Sequence, residues 1–275
     1  MRAYPKFSSS VYFQPWIGEA FEEGLWGRRT LILGQSHFRS VPAIIEYSNR
    51  EFYQGSIRPL RVPKANERLD PPLIDVFVQG ARREGDVNKA EAHAILADIQ
   101  DMLRDPALTG RSIGVVTLVG TKQAKYIHEL VHRAIAPADI VTREIAVGPP
   151  PMFQGRERDI MLVSLVLGPT DRPAADRLDM QQRYNVALSR ARDRMILYRS
   201  VAPAYFREDS LTGRLLHHFQ HPFQRDVQKT AQLRERCESP FECEIFDALT
   251  QRGYRVEPQV ACGGFFIDDD QVEQA

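Results

Sequence analysis

Two short polar segments of this sequence combine residue types that suit phosphate chemistry. The first is Met152-Phe-Gln-Gly-Arg-Glu-Arg-Asp159, and the second is Tyr184-Asn-Val-Ala-Leu-Ser-Arg-Ala-Arg192. Arginine guanidinium groups make planar, bidentate contacts with phosphate oxygens, which the ammonium group of lysine cannot reproduce. Each segment stands beside a short apolar run, Ile160–Leu167 and Met195–Tyr198 respectively. We therefore expect these polar side chains at one edge of a parallel sheet, where an α/β fold gathers its ligands.

Apolar runs that could form such a sheet alternate with helical patterns along the chain. The strand-like runs are Ile113–Val119, Asp139–Ile145, Ile160–Leu167 and Met195–Tyr198, and the helical patterns are Ala90–Leu103, Lys122–Ile135 and Leu178–Ala191. Alternation of strands and helices is typical of a parallel sheet with helices on both faces. The sequence thus predicts an α/β fold.

A third segment, Phe38–Tyr53, joins an aromatic-arginine pair to an amphipathic helix that ends in Phe-Tyr. In order along the chain, this segment and the two polar ones resemble motifs IV, V and VI of superfamily 1 helicases, in the branch that includes the nonsense-mediated-decay helicase. The resemblance covers about residues 38–200 and implies a RecA-like domain, the second of two motor domains. It implies that Arg39 and Arg190 are arginine fingers, which would reach the γ-phosphate of ATP held by the first domain.

The resemblance also implies roles for residues around these two arginines. It assigns Gln154, Gly155, Glu157, Asn185 and Arg192 to the nucleotide side, and Thr117 and Gln123 to the nucleic-acid side. The complete helicase would use ATP and Mg²⁺, would move on DNA or RNA, and would need a first RecA-like domain as its partner. Because the fingers and the phosphate loop would lie on different domains, closure of the cleft would couple hydrolysis to movement.

The sequence lacks the motif that would hold ATP. No G-x-x-x-x-G-K-[ST] phosphate loop occurs in its 275 residues, so we expect no ATP hydrolysis by this chain alone. Two other interpretations stay open. One is an inert module that binds nucleic acid or a partner, and the other is an active N-terminal head loosely similar to uracil-DNA glycosylases. ATP binding would favour the motor domain, whereas nucleic-acid binding unaffected by ATP would favour the inert module.

The patterns divide the chain into four segments. They are an N-terminal segment of uncertain origin (1–37), the RecA-like domain (38–202), a polar and basic helical connector (203–237) and a tail (238–275). The tail resembles the opening of a restriction-endonuclease-like, PD-(D/E)XK domain, in which Glu242 and Asp268 match the first two metal-binding carboxylates. The strand that would complete the metal site is absent. We therefore expect at most a weak Mg²⁺ site and no nuclease activity.

Composition limits the class of protein. Lys+Arg and Asp+Glu number 36 each, so any binding of nucleic acid must come from a local surface and not from the net charge. Cys237, Cys243 and Cys262 are odd in number and lack zinc-ribbon spacing, which favours reduced thiols in the cytoplasm. No apolar run approaches the ~18 residues of a membrane span. The sequence therefore predicts a soluble, cytoplasmic protein that does not enter a membrane.

Overall fold

The computed structural model describes residues 36–61, 63–64, 67–168, 177–221, 227–251, 258–262 and 265–267. In chain order its strands are β1 (Ser36–His37), β2 (Arg58–Pro59), β3 (Leu73–Phe77), β4 (Arg83–Glu84), β5 (Val87–Asn88), β6 (Ile113–Thr117), β7 (Ala146–Gly148), β8 (Arg158–Ser164), β9 (Ala191–Arg199), β10 (Val260–Cys262) and β11 (Phe265–Ile267). Its α-helices are α1 (Pro42–Phe52), α2 (Lys89–Arg104), α3 (Lys122–Ala134), α4 (Pro137–Thr142), α5 (Leu178–Leu188), α6 (Leu211–Gln220), α7 (Val227–Arg234) and α8 (Pro240–Gln251).

Five of the strands form one parallel sheet, in the order β3-β9-β8-β6-β7. Along β8, Met161 and Val163 pack in one apolar cluster, while Ile160 and Leu162 pack in a second. The side chains divide in this way because successive residues of a strand point to opposite faces. Helices α1, α5 and α6 contribute to the first cluster, and α2 and α3 contribute to the second. The predicted α/β fold, a parallel sheet between two layers of helices, is confirmed.

The end of helix α5 determines where Arg190 lies. The sequence predicted a helix as far as Ala191, but α5 ends at Leu188 and Ala191 already begins β9. At the helix end, the Ser189 hydroxyl donates to the Asn185 carbonyl oxygen at 2.7 Å. Side-chain hydrogen bonds of this kind satisfy a carbonyl group that the helix leaves without a partner. Arg190 consequently lies in the turn between α5 and β9 and not on the helix.

One predicted strand is wrong. The run Asp139–Ile145 was expected to be extended, but helix α4 occupies Pro137–Thr142 and strand β7 begins only at Ala146. Proline at the first helical position loses no hydrogen bond, and an acidic residue in the first turn interacts favourably with the helix dipole. Pro137 and Asp139 supply both signals. Here these helix-start signals outweigh the apolar character of the run.

Strand β3 was not predicted from the sequence. Its five residues, Leu73-Ile-Asp-Val-Phe77, carry a carboxylate in the centre of a short apolar run. The Asp75 carboxylate accepts two hydrogen bonds from the Arg199 guanidinium on β9, at 2.7 and 2.8 Å. A charge that is paired across strands is compatible with a sheet edge. The pairing partner lies far away in sequence, and for this reason the strand was not recognised.

The segment predicted as a helical connector contains helices α6 and α7. Helix α6 packs against α1: the Tyr47 hydroxyl donates to the Leu211 carbonyl oxygen at 2.9 Å. The buried His218 ring lies 2.8 Å from the Ala43 carbonyl oxygen through Nε2. Leu215 and Phe219 enter the same apolar cluster as α1. Helix α6 is therefore part of the layer that covers one face of the sheet.

In the tail, the helix expected from Pro240 is present as α8, and β10 pairs with β11 as an antiparallel hairpin. Residues 1–35 and Asp268 lie outside the described residues. Among the helices of the described ranges, none is both long and apolar enough to cross a membrane.

Candidate functional site

The two polar segments lie at the amino ends of neighbouring strands. Glu157 directly precedes β8, and Arg190 directly precedes β9. The Arg158 amide donates to the Arg190 carbonyl oxygen at 3.0 Å and joins the two strand starts. Ligands of open α/β sheets usually gather at the carboxyl ends of the strands. This candidate site lies at the opposite end, which we call the amino edge.

The turn between β1 and α1 brings Arg39 to this amino edge. The Val41 amide, just before α1, donates to the Arg192 carbonyl oxygen on β9 at 2.9 Å. The Nε group of Arg39 then forms an ion pair with the Oε1 atom of Glu157. The other oxygen of Glu157 accepts a hydrogen bond from Arg192 Nε at 3.0 Å. One carboxylate thus bridges two arginines from different elements.

A second carboxylate supports the same arginine network. Asp159 lies 3.5 Å from Arg192 and accepts hydrogen bonds from the amide and the hydroxyl of Ser112, both at 2.8 Å. Burial opposes ionisation of Asp159, but these bonds and the nearby arginines hold its pKa below the usual range. The amino edge therefore holds two carboxylates, Glu157 and Asp159, that contact its arginines.

A buried histidine lies beside Arg39. The Ser40 amide donates to His37 Nε2 at 3.1 Å, and the His37 side chain is almost fully buried. Burial, and then the charge of Arg39, lower the pKa of His37 to about 4, and Arg190 acts in the same direction. The ring is neutral at physiological pH. His37 could not be selected from the sequence, because a single histidine before Phe-Arg carries no spacing signal.

Arg190 is only 5% exposed, and its Nε donates to the Val186 carbonyl oxygen at 3.0 Å. This bond fixes the direction of the guanidinium at the end of α5. Asn185, from the same helix, donates to the Tyr53 hydroxyl at 3.0 Å and so joins α5 to the end of α1. The structure thereby brings Arg190 to the amino edge, where Arg39, Glu157 and Arg192 also lie, and places Asn185 against the end of α1.

Gln154 and Gly155 form an exposed turn before β8. The preceding 3₁₀ turn, Pro150–Phe153, is anchored by the buried side chain of Phe153. Gly155 has a φ of +75°, a left-handed conformation that favours glycine. The Gln154 side chain is exposed, and its backbone amide donates to Pro151. The sequence signal of a glycine after glutamine thus corresponds to a tight, accessible turn.

Thr117 and Gln123 lie at the opposite end of the sheet, and both are fully buried. The side-chain oxygen of Gln123 accepts from the backbone amide of Asn88 at 2.8 Å, and its side-chain nitrogen donates to the Asn88 carbonyl oxygen at 3.0 Å. The Thr117 hydroxyl donates to the Gly120 carbonyl oxygen at 3.3 Å. In this conformation neither side chain reaches the surface, so the structure does not bring them together with the arginines or with a ligand.

Sequence reasoning missed the buried carboxylate next to these two residues. Glu91 is fully buried, and it accepts from the Asn88 side chain (3.1 Å), Ser200 (2.8 Å), Ser164 (2.7 Å) and the Val166 amide (2.9 Å). Burial raises the pKa of Glu91 to about 7. The available signal was the Asn88-x-x-Glu91 spacing of a capping box before a helix. Its burial between strand ends could not be read from that spacing.

Glu242 caps helix α8. Its two carboxylate oxygens accept from the Glu238 amide at 2.7 Å and from the Gln259 side chain at 2.9 Å. The Glu242 amide donates to the Ser239 hydroxyl at 3.1 Å, so these bonds join the residues before α8 to its first turn. Its predicted partner Asp268 lies outside the described residues. Within the described ranges, no three His, Cys, Asp or Glu side chains come together as a metal site.

Comparison with known proteins identifies the family. Residues 23–200 match the AAA_12 model, described as an AAA domain. The chain is similar to the mouse protein named 5'-3' DNA helicase ZGRF1, with 28% identity over 205 residues, which is 70% of this chain and 10% of that protein. It is also similar to the crystal structure of the C-terminal domain of a possible DNA helicase from Lactobacillus plantarum WCFS1, with 16% identity and a TM-score of 0.37, covering 62% of this chain and 92% of that one. Because the AAA domain model matches well over half of the residues, including all that carry the helicase resemblance, the chain belongs to this AAA domain family.

Proposed function

We propose that this domain is the second RecA-like half of a nucleic-acid-dependent ATPase, and that it supplies Arg39 and Arg190 to ATP bound by a first RecA-like domain. One observation carries the proposal. Arg39 and Arg192 share the Glu157 carboxylate at the amino edge, and Arg190 lies in the turn directly before β9, the strand that carries Arg192. Three arginines, from the turn before α1, the turn before β9 and β9 itself, are thereby gathered on one edge of the sheet.

This arrangement suits the charge that develops during phosphoryl transfer. Positively charged forks that are already oriented stabilise the transition state of the γ-phosphate without reorganising during the reaction. The Arg39 side chain is 23% exposed, so a phosphate group could reach its guanidinium and replace the Glu157 carboxylate as its partner. Arg190 is oriented by its bond to the Val186 carbonyl oxygen. Arg39 would thus act from an accessible position, and Arg190 from a fixed one.

An aromatic side chain next to Arg39 supports a nucleotide as the ligand. Phe38 is 69% exposed, although its neighbours His37 and Ser40 are buried. An exposed aromatic ring can stack on a nucleobase, which contributes about 1–3 kcal/mol in other nucleic-acid-binding proteins. We propose that Phe38 offers this platform to the base of ATP while Arg39 reaches toward the phosphates.

We propose that the first domain holds the phosphates of ATP and the Mg²⁺ ion. The 275 residues contain no phosphate loop, and the described residues contain no group of three metal-ligating side chains. Mg²⁺ would neutralise charge on the β- and γ-phosphates there. The chain spans about a tenth of the length of the mouse relative, which carries the name of a DNA helicase. ATP-driven movement on DNA or RNA is accordingly our proposal for the complete protein.

Reconstitution with the first motor domain of a related helicase tests the proposal. We expect nucleic-acid-stimulated ATP turnover by the two parts and none by this chain alone. Arg39→Ala and Arg190→Ala should each lower kcat by on the order of 10³-fold or more, with a smaller change in KM. Arg104→Ala is the matched control, because its exposed side chain bonds only near its own helix end, to Asp101 and Gln100. Equal losses in all three variants would contradict the proposal.

A further inference from the structure

We infer that His37 is the positioning residue of Arg39: as a neutral imidazole it accepts the Ser40 amide and fixes the turn that carries the arginine. The inference rests on the proposed role of Arg39 and assigns the device that orients it. Arg39 lies between the two partners of this hydrogen bond, which joins His37 Nε2 to Ser40 N at 3.1 Å. The bond therefore closes the backbone loop on both sides of the arginine.

The ends of this turn are fixed by different elements. On one side, β1 pairs with β2, and the Leu60 amide donates to the His37 carbonyl oxygen at 2.7 Å. On the other side, the Val41 amide donates to Arg192 on β9. Between these anchors, the hydrogen bond to the imidazole is the internal contact that holds the turn. It uses the His37 side chain, whereas both anchors use only backbone atoms.

The direction of this hydrogen bond determines the protonation state of the ring. A backbone amide can only donate, so Nε2 must carry a lone pair and the proton of the neutral ring must lie on Nδ1. The charged groups that face His37 are Arg39, Glu157 and Arg190. Two of these three are cations, and the ring is buried. Both conditions favour the neutral imidazole that the bond requires.

Positioning matters here because the proposed partner lies on another domain. Misplacement of a catalytic group by about 1 Å can cost on the order of 10²-fold in rate. Arg39 is a long side chain on a turn of three residues, so the backbone direction sets where its guanidinium can reach. The hydrogen bond between His37 and Ser40 inside that turn keeps Arg39 at the amino edge, where it forms an ion pair with Glu157.

Two substitutions separate the hydrogen bond from the volume of the ring. His37→Gln places an amide oxygen at a reach similar to that of Nε2 and keeps an acceptor. His37→Leu fills space without an acceptor. The matched control is His218→Leu, because His218 is also buried, with its pKa lowered to about 4, but it contacts Ala43 and not the Arg39 turn.

The test on the chain itself is NMR, with the Ser40 amide and the Arg39 Nε–H group as probes. We expect His37→Leu to speed hydrogen exchange at Ser40 about five- to tenfold, the equivalent of one lost hydrogen bond. The Arg39 Nε–H signal should then merge with those of exposed arginines. His37→Gln should restore both signals, and His218→Leu should leave them unchanged. Unaltered Ser40 exchange and Arg39 signal in a folded His37→Leu protein would overturn the inference.

Kinetics with a reconstituted first domain then separates this inference from the proposed function. We expect His37→Leu to lower kcat by about 10²-fold with little change in KM, to add nothing to Arg39→Ala, and to be rescued in His37→Gln. If the NMR effects occur but neither His37→Leu nor Arg39→Ala changes kcat, His37 does position Arg39, and the proposed function of Arg39 is wrong. If Arg39→Ala lowers kcat and His37→Leu does not, the inference fails and the proposed function stands.

Discussion

Arg39 and Glu157 form an ion pair that joins the turn before α1 to the start of β8. The same carboxylate also binds Arg192, so it satisfies two guanidinium groups at once. A phosphate group and Glu157 would compete for the Arg39 side chain.

The stability of the domain should depend on this shared carboxylate. We predict that Glu157→Gln lowers the free energy of unfolding by about 1–2 kcal/mol, because the largely buried Arg39 and the more exposed Arg192 both lose their carboxylate partner. Chemical denaturation at pH 7 measures the change. Asp101→Asn is the control, since the exposed Asp101–Arg104 pair should contribute only about 0–0.5 kcal/mol. A loss no larger than that of the control would mean that the network at the amino edge is only a surface contact.

Glu91 should make stability depend on pH. Its pKa is raised to about 7 by burial, so the folded state favours the protonated form. The associated stabilisation is fully present below the unfolded pKa of about 4.5 and is lost as pH rises through about 7. We predict that the unfolding free energy of the parent falls by about 3 kcal/mol relative to Glu91→Gln across this window.

The measurement for Glu91 is chemical denaturation of both proteins from pH 4.5 to 8. Using the difference between the two proteins removes the contribution of every other titrating group. A constant difference would contradict the prediction. It would show that the four donors around Glu91 fully offset the cost of burying its charge.

The tail should not cleave DNA. Both carboxylate oxygens of Glu242 are used within the protein, to cap α8 and to bind Gln259. We predict no cleavage of single- or double-stranded DNA with Mn²⁺, and the same result for Asp268→Ala. We also predict that Glu242→Ala increases proteolysis within α8, since loss of a cap costs about 1 kcal/mol. Mn²⁺-dependent cleavage that disappears in Asp268→Ala would contradict this prediction.

Much of the sheet could be predicted from the sequence, because β6, β8 and the Met195–Tyr198 part of β9 contain continuous apolar runs that are buried on both faces. Local patterns were insufficient where a distant partner decides the structure. Asp75 interrupts the apolar run of β3, and its carboxylate is paired with Arg199 of β9, a partner that lies far away in sequence. Helix α4 is a different case, because its local signals are present in the sequence. Pro137 and Asp139 indicate a helix start, but the apolar character of Asp139–Ile145 favoured a strand in the prediction.

The candidate site was predictable in its residue types but not in its contacts. The motif resemblance selected Arg39, Glu157 and Arg192, and the structure joins them in one ion-pair network. Burial was not predictable from the same motifs. Gln123 was expected to face a nucleic acid, whereas its amide is fully used inside the molecule by Asn88 and Ser164. The motif match gives the residue type, and only the packing around it gives the direction of the side chain.

The most direct test of the account is the binding of a transition-state analogue. Arginine fingers should stabilise the transferring phosphoryl group more than the ground state, and transition-state analogues bind at least about 10²-fold tighter than substrates. In the complex with a first motor domain, we predict that ADP with aluminium fluoride binds at least ~10²-fold tighter than ADP. Arg39→Ala and Arg190→Ala should each remove most of that preference and change the Kd for ADP by less than about twofold. If both variants keep the preference of the parent for the aluminium fluoride complex, the arginines of the amino edge do not act on the transferring phosphate, and the central claim is wrong.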